Sequence, residues 1–395
     1  MNVKDVIERI NDDVVEIVSH FVELKQRGRN YTGLCPFHGE KTPSFTVTPS
    51  RGIFKCFGCG KGGDAISFIM EHEHVDFKEA VNIGARKLNV QFEWKEQKDF
   101  NEEEHKHLEA LKIVCAKAAE FFRRNLSEND EAKEYLKLRN FSFEEDDPFQ
   151  IGYALPGNQL MKWAQENGLN RQLMIEAGLV AMNDRGEPYD FFRDRIMFPI
   201  CDKTGKVIGF TGRNLKDRKE SAKYLNTSDT EIFTKGNELF ALNIARHAIK
   251  RENKVYLVEG NFDVKRLHSI GVTNTVAPCG TSLTIEQVRL LKTYSKNVTL
   301  IYDGDDAGRK AIDRNGETLV KEQCNVTVLS LPESEDPDTV FKTMETFEEF
   351  KDTAQRDYIV YKVEKGQKRC ENPAFKSDFM REVAMLITRY DDSSL

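Results

Sequence analysis

The sequence predicts a multidomain protein of mixed α+β and α/β class, in which a small cysteine-containing domain precedes a larger region built on a parallel sheet. Three observations support this prediction. The chain has 395 residues, more than one ordinary domain holds. Paired cysteines and short β-type stretches occupy residues 31–63. From residue 254 onwards, strand-like and helix-like segments alternate at a spacing typical of parallel sheets with right-handed crossovers.

The N-terminal region is predicted to be a small β-rich domain with helical flanks. Apolar residues from Val3 to Val18 recur mainly at helical intervals, which predicts a helix over 3–19. Short β-type stretches follow between glycines and prolines, and helical patterning then returns. The predicted strands cover 44–47 and 52–55, and the later helices cover 64–71 and 77–88.

A solvated linker is expected next, because residues 91–109 carry seven acids against three bases and show little apolar periodicity. Beyond it, a helical segment is predicted over 104–140 and β segments over 195–200 and 206–210. The regular region places strands at 255–258, 275–277, 298–302 and 326–331, with helices from Asp263, over 285–294 and over 306–320. The predicted divisions are residues 1–95, a charged linker at 96–104, a mixed α/β subdomain at 105–250, a parallel-sheet subdomain at 251–340 and a partial helical segment at 341–395.

Composition favours a soluble protein of the cytoplasm. Hydrophobic residues make up 39% of the chain and charged residues 31%, and no stretch approaches the roughly 20 apolar residues that a membrane span needs. The N-terminus carries acids and helical periodicity, unlike a secretory signal peptide. The net charge of −7 does not indicate nucleic-acid binding, but a local basic surface can bind phosphate within an acidic protein. We therefore expect no membrane role.

Two cysteine-containing pairs predict a zinc site. Cys35 and His38 form a Cys-x2-His pair, and after seventeen residues Cys56 and Cys59 form a Cys-x2-Cys pair. Each pair fits a tight turn, and a β-hairpin between the pairs would bring four donors onto one tetrahedral Zn²⁺. Four protein ligands leave no position for water, so the predicted role of the metal is structural. Burial of cysteines as small apolar residues does not account for two such pairs.

Aromatic and basic residues surround these ligands. The aromatic residues are Phe45, Phe54 and Phe57, and the basic residues are Arg51, Lys55 and Lys61. Basic groups beside aromatic rings suit single-stranded nucleic acid, whose bases stack and whose phosphates need charge. Aromatic residues in so small a domain usually form its core instead. The sequence leaves both interpretations open.

Acidic residues follow three of the predicted segments of the parallel sheet. These groups are Glu259-Gly260, Asp303-Gly304-Asp305 and Asp336-Pro337-Asp338. Ligands gather at the carboxyl ends of parallel strands, so the acids are expected to converge on one crevice. Converging carboxylates repel one another unless a cation joins them, and Mg²⁺ prefers such oxygen ligands. Asp and Gly are common in loops after strands, but three such groups in register favour a metal site.

A basic tract lies between the two regions. Residues 203–224 contain seven lysines and arginines against two acids, and Lys235 follows in a Thr-Lys-Gly turn. Phosphate binding is the functional interpretation and a solvated loop is the alternative. A neighbouring metal cluster that needs a phosphate substrate favours phosphate binding. The seven residues are Lys203, Lys206, Arg213, Lys216, Arg218, Lys219 and Lys223.

Together these motifs resemble those of the bacterial and phage primases of the DnaG type. The segments Cys35-Pro-Phe-His38-Gly-Glu-Lys-Thr-Pro-Ser-Phe45 and Cys56-Phe-Gly-Cys59-Gly-Lys-Gly-Gly-Asp64-Ala are similar to the family's zinc ribbon. Residues 255–340 resemble the TOPRIM fold shared by primases and topoisomerases. The basic motifs of the family resemble Thr211-Gly-Arg213, Lys223-Tyr224-Leu-Asn226, Lys235-Gly and Arg139 after Tyr135-Leu136. Departures from the pattern are Asn261, Phe262 and Asn140, where the family usually carries Tyr, Met and Gly.

The resemblance implies a primase, which synthesises RNA primers on single-stranded DNA from ribonucleoside triphosphates by metal-dependent nucleotidyl transfer. It implies a catalytic core of Glu259, Asp303 and Asp305, with Asp263, Asp336 and Asp338 as further ligands of Mg²⁺ or Mn²⁺. It also implies nucleotide or template contacts by Arg139, Arg213, Lys223, Tyr224 and Lys235. The expected partners are the template strand and the nucleotides at the replication fork, and the expected state is a monomer.

Two other functions compete with this one. A TOPRIM nuclease or topoisomerase would share the acidic motifs, but a topoisomerase also needs a nucleophilic tyrosine in a large domain for which this chain has no room. A non-catalytic DNA-binding protein similar to the recombination mediator RecR also combines zinc with TOPRIM, but RecR is shorter and lacks the histidine ligand. Only 57 residues follow Asp338, too few for the family's helicase-binding domain, so a helicase partner is not expected.

Overall fold

The computed structural model describes residues 3–92, 102–215, 222–280, 282–367 and 373–388. Most of the predicted linker, residues 96–101, lies outside these ranges, as do Lys216, Arg218 and Lys219 of the basic tract. Among the described residues, no helix combines the length and apolar character needed to cross a bilayer. The chain divides into two compact units, residues 1–105 with 203–205 and residues 106–202 with 206–395.

The first unit is a five-stranded antiparallel sheet with helices at both ends of its sequence. Its strands follow one another in chain order across the sheet, so each pair is a hairpin or a local connection. Its strands are β1 (Lys25–Arg27), β2 (Asn30–Gly33), β3 (Phe45–Thr48), β4 (Ile53–Cys56) and β5 (Gly62–Asp64), and its helices are α1 (Val3–Asp12), α2 (Val14–Ser19), α3 (Ala65–Glu73) and α4 (Phe77–Lys87).

The single helix predicted over 3–19 is two helices in the structure, separated at Asp13. Both helices bury one apolar face in the same core, which includes Val6, Ile10 and Val18. The core also holds the rings of Phe45 and Phe54, which stack 5.3 Å apart with an interplanar angle of 21°. The predicted hairpin between the two ligand pairs is present as β3 and β4, paired in antiparallel register.

The second unit begins with helices and an antiparallel sheet. The helices are α5 (Glu102–Glu128), α6 (Asp130–Leu138), α7 (Gln159–Glu166) and α8 (Arg171–Glu176), so α5 begins within the predicted linker. The strands are β6 (Gly152–Ala154), β7 (Val180–Met182), β8 (Pro188–Asp190), β9 (Arg195–Cys201), β10 (Val207–Asn214) and β11 (Tyr224–Asn226). Four of them form the sheet β11-β10-β9-β6. Ile196 and Phe198 face one hydrophobic cluster and Met197 faces another, so both faces of this sheet are covered.

A six-stranded sheet dominates the rest of the second unit. Its elements are β12 (Leu239–Phe240), α9 (Leu242–Glu252), β13 (Val255–Leu257), α10 (Asn261–Ser269), β14 (Thr275–Pro278), α11 (Ile285–Lys292), β15 (Asn297–Leu300), α12 (Asp306–Lys321), β16 (Asn325–Leu329), α13 (Pro337–Val340), α14 (Met344–Ala354), β17 (Gln355–Asp357), α15 (Tyr358–Gln367) and α16 (Pro373–Ile387). The strand order is β12-β14-β13-β15-β16-β17.

The four central strands are parallel, as the alternating pattern predicts. Val255 and Leu257 face one hydrophobic cluster, whereas Tyr256 and Val258 face the other. Burial of both faces is what a parallel sheet between helical layers requires. The two edge strands, β12 and β17, pair antiparallel and come from outside residues 251–340. The sheet is therefore wider than the predicted subdomain.

Candidate functional site

The four predicted zinc ligands meet in the first unit. The ligand atoms of Cys35, His38, Cys56 and Cys59 all lie within 4.8 Å of one another. The sulfurs of Cys35 and Cys59 are 3.8 Å apart, and the Cys56 sulfur is 3.8 Å from His38 Nδ1. Ligands on a tetrahedron with Zn–S bonds near 2.3 Å lie about 3.8 Å apart. The donor set and its spacing therefore fit one Zn²⁺ bound by four protein ligands.

A carboxylate that the sequence analysis did not single out supports this cluster. Glu40 Oε1 accepts hydrogen bonds from the backbone N–H of Cys35, at 2.7 Å, and of Ser44, at 3.0 Å. Its second oxygen accepts from the Ser44 hydroxyl and lies 3.3 Å from His38 Nε2. A carboxylate behind a histidine ligand fixes the ring orientation and raises its basicity. An acid two residues after the histidine was the one sequence signal for this role.

The aromatic residues near the zinc ligands divide between the two interpretations. Phe45 and Phe54 are 0% and 2% exposed, so they belong to the core, whereas Phe57 is 76% exposed. Lys61 lies 4.8 Å from the centroid of the Phe37 ring and forms an ion pair with Glu71 at 2.6 Å. Phe57 is therefore the one predicted ring whose face is open to a stacking partner.

The second unit contains a cleft of about 370 Å³ at the carboxyl ends of β13 and β15. Nine of the predicted site residues line it. The acidic members are Glu259, Asp263, Asp303, Asp336 and Asp338, and the other members are Arg139, Arg213, Lys223 and Tyr224. The fold thus brings together residues that are up to 199 positions apart in the sequence, and both acids and bases line one cleft.

Glu259 and Asp303 lie at the ends of adjacent strands and interact directly. The backbone N–H of Asp303 donates to Glu259 Oε1 at 3.1 Å. Burial raises the pKa of Glu259 to about 7, and the negative charge of Asp303 adds to the shift. Burial and the charge of Asp336 likewise raise the pKa of Asp303 to about 6, against the opposing charge of Lys223. Both pKa values are raised because the carboxylates are partly removed from water and lie near other negative charges.

Asp303 also has a buried oxygen, Oδ1, that receives no hydrogen bond from any of the described residues. A buried carboxylate oxygen without a donor is costly, and a cation is the partner that would satisfy it among other acids. The cleft acids do not form a set as close as the zinc ligands within the described chain. The residues fit a hard divalent cation by donor type, and Asp303 and Glu259 are directly linked by the hydrogen bond described for this pair.

The other predicted acids have structural partners of their own. Asp305 is exposed and caps α12, where its Oδ1 accepts from the Gly308 N–H at 2.7 Å. Asp336 caps α13 by accepting from the Thr339 N–H at 2.7 Å. Asp263 is buried in α10 and accepts from the Gly260 N–H at 3.0 Å. Burial raises the pKa of Asp263 well above its ordinary value, and the charges of Asp303, Asp336 and Asp338 add to this.

The basic wall of the cleft comes from α6, β10 and β11. Arg213 pairs across the sheet with Tyr224, and its guanidinium lies 5.1 Å from the centroid of the tyrosine ring. Burial raises the pKa of Tyr224 to about 12. Lys223 is exposed beside it, and Arg139 ends α6. These groups present positive charge opposite the carboxylates, an arrangement that suits a phosphate bound between them.

Two predicted residues lie apart from the cleft lining. Asp305 is exposed at the N-terminus of α12. Lys235 is not among the lining residues either, and its backbone is fixed by Asp229, which accepts from its N–H at 2.9 Å, and by Gln287, which donates to its carbonyl at 3.0 Å. The lining also includes polar residues that were not predicted as site residues, among them Thr211, Asn226, Asn261 and Asn315.

Comparisons with known proteins match three consecutive parts of the chain. The sequence matches the family models described as CHC2 zinc finger over residues 2–100, DNA primase catalytic core, N-terminal domain, over residues 121–246, and Toprim-like over residues 256–341. The DNA primase of Listeria monocytogenes is 39% identical over 404 residues, which cover 97% of this chain and 64% of the relative. The DNA primase of Aquifex aeolicus is 41% identical over 330 residues, which cover 84% and 64%.

Solved structures show the same relationship. The crystal structure of the zinc-binding and RNA polymerase domains of Aquifex aeolicus primase has a TM-score of 0.67 and 34% identity, and the match covers 98% of this chain and 93% of that one. A DnaG primase catalytic domain bound to single-stranded DNA has a TM-score of 0.64 and 33% identity, covering 72% and 94%. The chain spans less than two thirds of the curated relatives' length. With a CHC2 zinc finger, a primase catalytic core and a Toprim domain in this order, it belongs to the family of DnaG-type DNA primases.

Proposed function

We propose that this chain synthesises RNA primers on single-stranded DNA by divalent-cation-dependent nucleotidyl transfer. One observation carries the proposal. Glu259 and Asp303 line a single cleft together with Arg139, Arg213 and Lys223, and the buried Oδ1 of Asp303 has no donor among the residues that the structure describes. A site for nucleoside triphosphates needs two things: acids that bind a cation, and basic groups opposite them that bind phosphate. Membership of the primase family and the similarity to a structure bound to single-stranded DNA support the same substrates.

In the proposed reaction a 3′-hydroxyl attacks the α-phosphate of a ribonucleoside triphosphate, a P–O bond forms, and pyrophosphate leaves. Glu259 and Asp303 would hold Mg²⁺ or Mn²⁺, with Asp305 and Asp336 close enough to add to the negative field at these two carboxylates. When bound, the cation stabilises negative charge on the phosphates and lowers the pKa of the attacking hydroxyl. Arg213 and Lys223 would bind phosphate oxygens of the nucleotide or of the template.

The arrangement of the zinc ligands supports a structural role for the zinc ion. Four protein ligands complete the shell, so the metal offers no position for a substrate. We propose that the first unit contributes to template binding through the exposed ring of Phe57, on which a base can stack. Chemistry would then be confined to the cleft of the second unit.

The test is de novo primer synthesis on single-stranded DNA with labelled ribonucleotides and Mg²⁺. We expect Asp303→Asn to reduce the rate at least about 100-fold, because it removes the charge of a carboxylate that would hold the proposed cation. Binding of single-stranded DNA should remain, since the variant removes negative charge. Asp306→Asn is the matched control: Asp306 is exposed three residues further along the chain and pairs with Arg309.

The outcome also separates the alternatives. Family membership does not favour a nuclease, a topoisomerase or a non-catalytic mediator. Cleavage or relaxation of DNA without new RNA would nonetheless support the first two, and binding without either activity would support the third. Primer synthesis by Asp303→Asn at the rate of the unsubstituted chain would refute the proposed metal site.

A further inference from the structure

Asp338 has a different environment from the other acids of the cleft. Its side chain lies in α13 and is 7% exposed. One carboxylate oxygen accepts from Arg266 Nε at 2.8 Å, and the other lies 3.4 Å from a terminal nitrogen of Arg139. Both oxygens therefore face guanidinium groups. Asp303 differs, because one of its oxygens is buried without a donor among the described residues.

Arg266 contacts the carboxylate of Asp338, the backbone of Arg139 and the ring of Phe141. It is 5% exposed, so its charge is removed from water and needs a partner. Besides binding Asp338, it donates through a terminal nitrogen to the backbone carbonyl of Arg139 at 2.7 Å. Its guanidinium also lies 4.5 Å from the centroid of the Phe141 ring. Arg266 thus links the carboxylate of Asp338 to the backbone that ends α6.

Arg139 is held on its other sides by aromatic rings. Its guanidinium lies 4.6 Å from the centroid of the Phe262 ring and 5.5 Å from that of Tyr135. Its Nε donates to the Tyr135 hydroxyl at 3.3 Å. The side chain keeps 31% of its surface exposed, on the lining of the cleft. The result is an arginine with a fixed orientation and an accessible edge, which is what recognition of a phosphate group needs.

We propose that Asp338 is a positioning residue for Arg139 and not a ligand of the catalytic cation, an inference that rests on the proposed function. A cation at Asp338 would share the carboxylate with two guanidinium groups, whose positive charges repel it. As a partner of Arg139 and Arg266, the same carboxylate compensates buried charge and orients Arg139 towards a phosphate in the cleft. The phosphate belongs either to the template strand or to the incoming nucleotide.

The first measurement is Mn²⁺ binding by the zinc-loaded full chain without nucleic acid, followed by electron paramagnetic resonance of free Mn²⁺. We expect Asp338→Asn to leave the dissociation constant within about twofold of the unsubstituted chain, whereas Asp303→Asn raises it at least about tenfold, since Asp303, unlike Asp338, has a carboxylate oxygen without a partner in the described part of the chain. Equal weakening in the two variants would overturn the proposal.

The second measurement tests whether Asp338 acts through Arg139. Binding of a fluorescent oligothymidylate and binding of metal-free ATP are measured separately. Weaker binding of the oligonucleotide would identify the phosphate as that of the template, and weaker binding of ATP would identify it as that of the nucleotide. We expect Arg139→Met and Asp338→Asn each to weaken one of these ligands, and the double variant to match Arg139→Met alone, because the carboxylate has no effect once its arginine is gone. Additive losses in the double variant would overturn the proposal.

Asp338→Asn leaves the buried charge of Arg266 without its carboxylate, so thermal unfolding accompanies each measurement. If that variant does not fold, the double variant Arg266→Met, Asp338→Leu removes both buried charges together and is expected to fold. Its Mn²⁺ affinity should also stay within about twofold, and a tenfold loss would overturn the proposal. Neither measurement requires primer synthesis. A chain that gives both expected results but makes no RNA would refute the proposed function alone.

Discussion

Glu40 illustrates what a single residue can contribute to a metal site without binding the metal. Its carboxylate accepts from the backbone of Cys35 and Ser44 and lies against His38 Nε2. It therefore fixes the turn that carries the first ligand pair and the orientation of the imidazole. The ligand spacing alone does not reveal this role, because Glu40 is not itself a ligand and its partners are backbone groups four and five residues away, whose positions depend on the turn.

We expect Glu40→Ala to weaken zinc binding by roughly 10- to 100-fold, the usual cost of losing a carboxylate behind a histidine ligand. The four ligands remain, so the variant should still bind one zinc per chain when the metal is in excess. Competition with a chromogenic zinc chelator measures the change. Glu71→Ala is the control, because Glu71 is exposed in α3 and pairs with Lys61. An unchanged zinc affinity in Glu40→Ala would show that the backbone alone orients His38.

Residue types at strand ends allowed the acidic cleft to be predicted, but not the partner of each acid. Asp303 and Asp338 follow the same rule in the sequence, yet within the described ranges Asp303 keeps an oxygen without a donor and Asp338 pairs with Arg266. Arg266 is 72 positions away from Asp338, and no local pattern connects the two. Lys235, a basic residue in a glycine turn, lies outside the cleft lining, and its predicted contact with nucleotide or template stays a prediction. Which groups meet is decided by tertiary packing.

Among the elements, the four central strands could be predicted because their sequence is apolar on both faces and alternates with amphipathic helices. The observed strands β13–β16 lie within one to two residues of the predicted limits at most ends. The edge strands β12 and β17 were missed. They contain two and three residues, too few to show the alternation of apolar and polar residues that predicts a strand. They form strands because they pair with the edges of β14 and β16.

The turn between β15 and α12 provides a prediction at this scale. A Cβ added at Gly308 would lie 2.1 Å from the backbone oxygen of Asp303, and backbone atoms there cannot move without moving Asp303 itself. We expect Gly308→Ala to destabilise the second unit by about 1–3 kcal/mol, the usual cost of overpacking, and to reduce primer synthesis because the turn is displaced. Chemical denaturation and the priming assay measure the two effects.

Ala307→Ser is the control for this variant, because it adds one heavy atom at the neighbouring exposed position of the same turn. We expect little change in the free energy of unfolding there. If Gly308→Ala behaves like Ala307→Ser in both assays, the close approach of α12 to Asp303 does not fix the geometry of the acidic turn.

At the scale of the whole molecule, each unit has its own hydrophobic core. The core of the first unit draws on residues between Val6 and Leu88, and the clusters of the second unit draw on residues between Leu111 and Leu386. The change from cysteine-rich β segments to alternating strands and helices allowed two such regions to be predicted. The limits within the second unit were harder to predict, because β12 and β17 reach the sheet from both sides of the predicted subdomain.

The two units have separate cores, and the four zinc ligands found among the described residues all belong to the first unit. We therefore expect loss of the metal to destabilise the first unit and not the second. Structural zinc contributes ~10–16 kcal/mol to small zinc-finger peptides, so Cys59→Ser, which removes one of the four ligands, should release the metal and abolish the unfolding transition of the first unit. The second unit, whose described core contains none of these ligands, should unfold at an unchanged temperature. Zinc analysis, calorimetry and hydrogen exchange resolved by residue measure the three effects.

Cys201→Ser, at a half-buried cysteine of the second unit, is the control and should keep its zinc and both unfolding transitions. Retention of zinc by Cys59→Ser would contradict the ligand assignment, and loss of both transitions together would show that the two cores do not unfold independently.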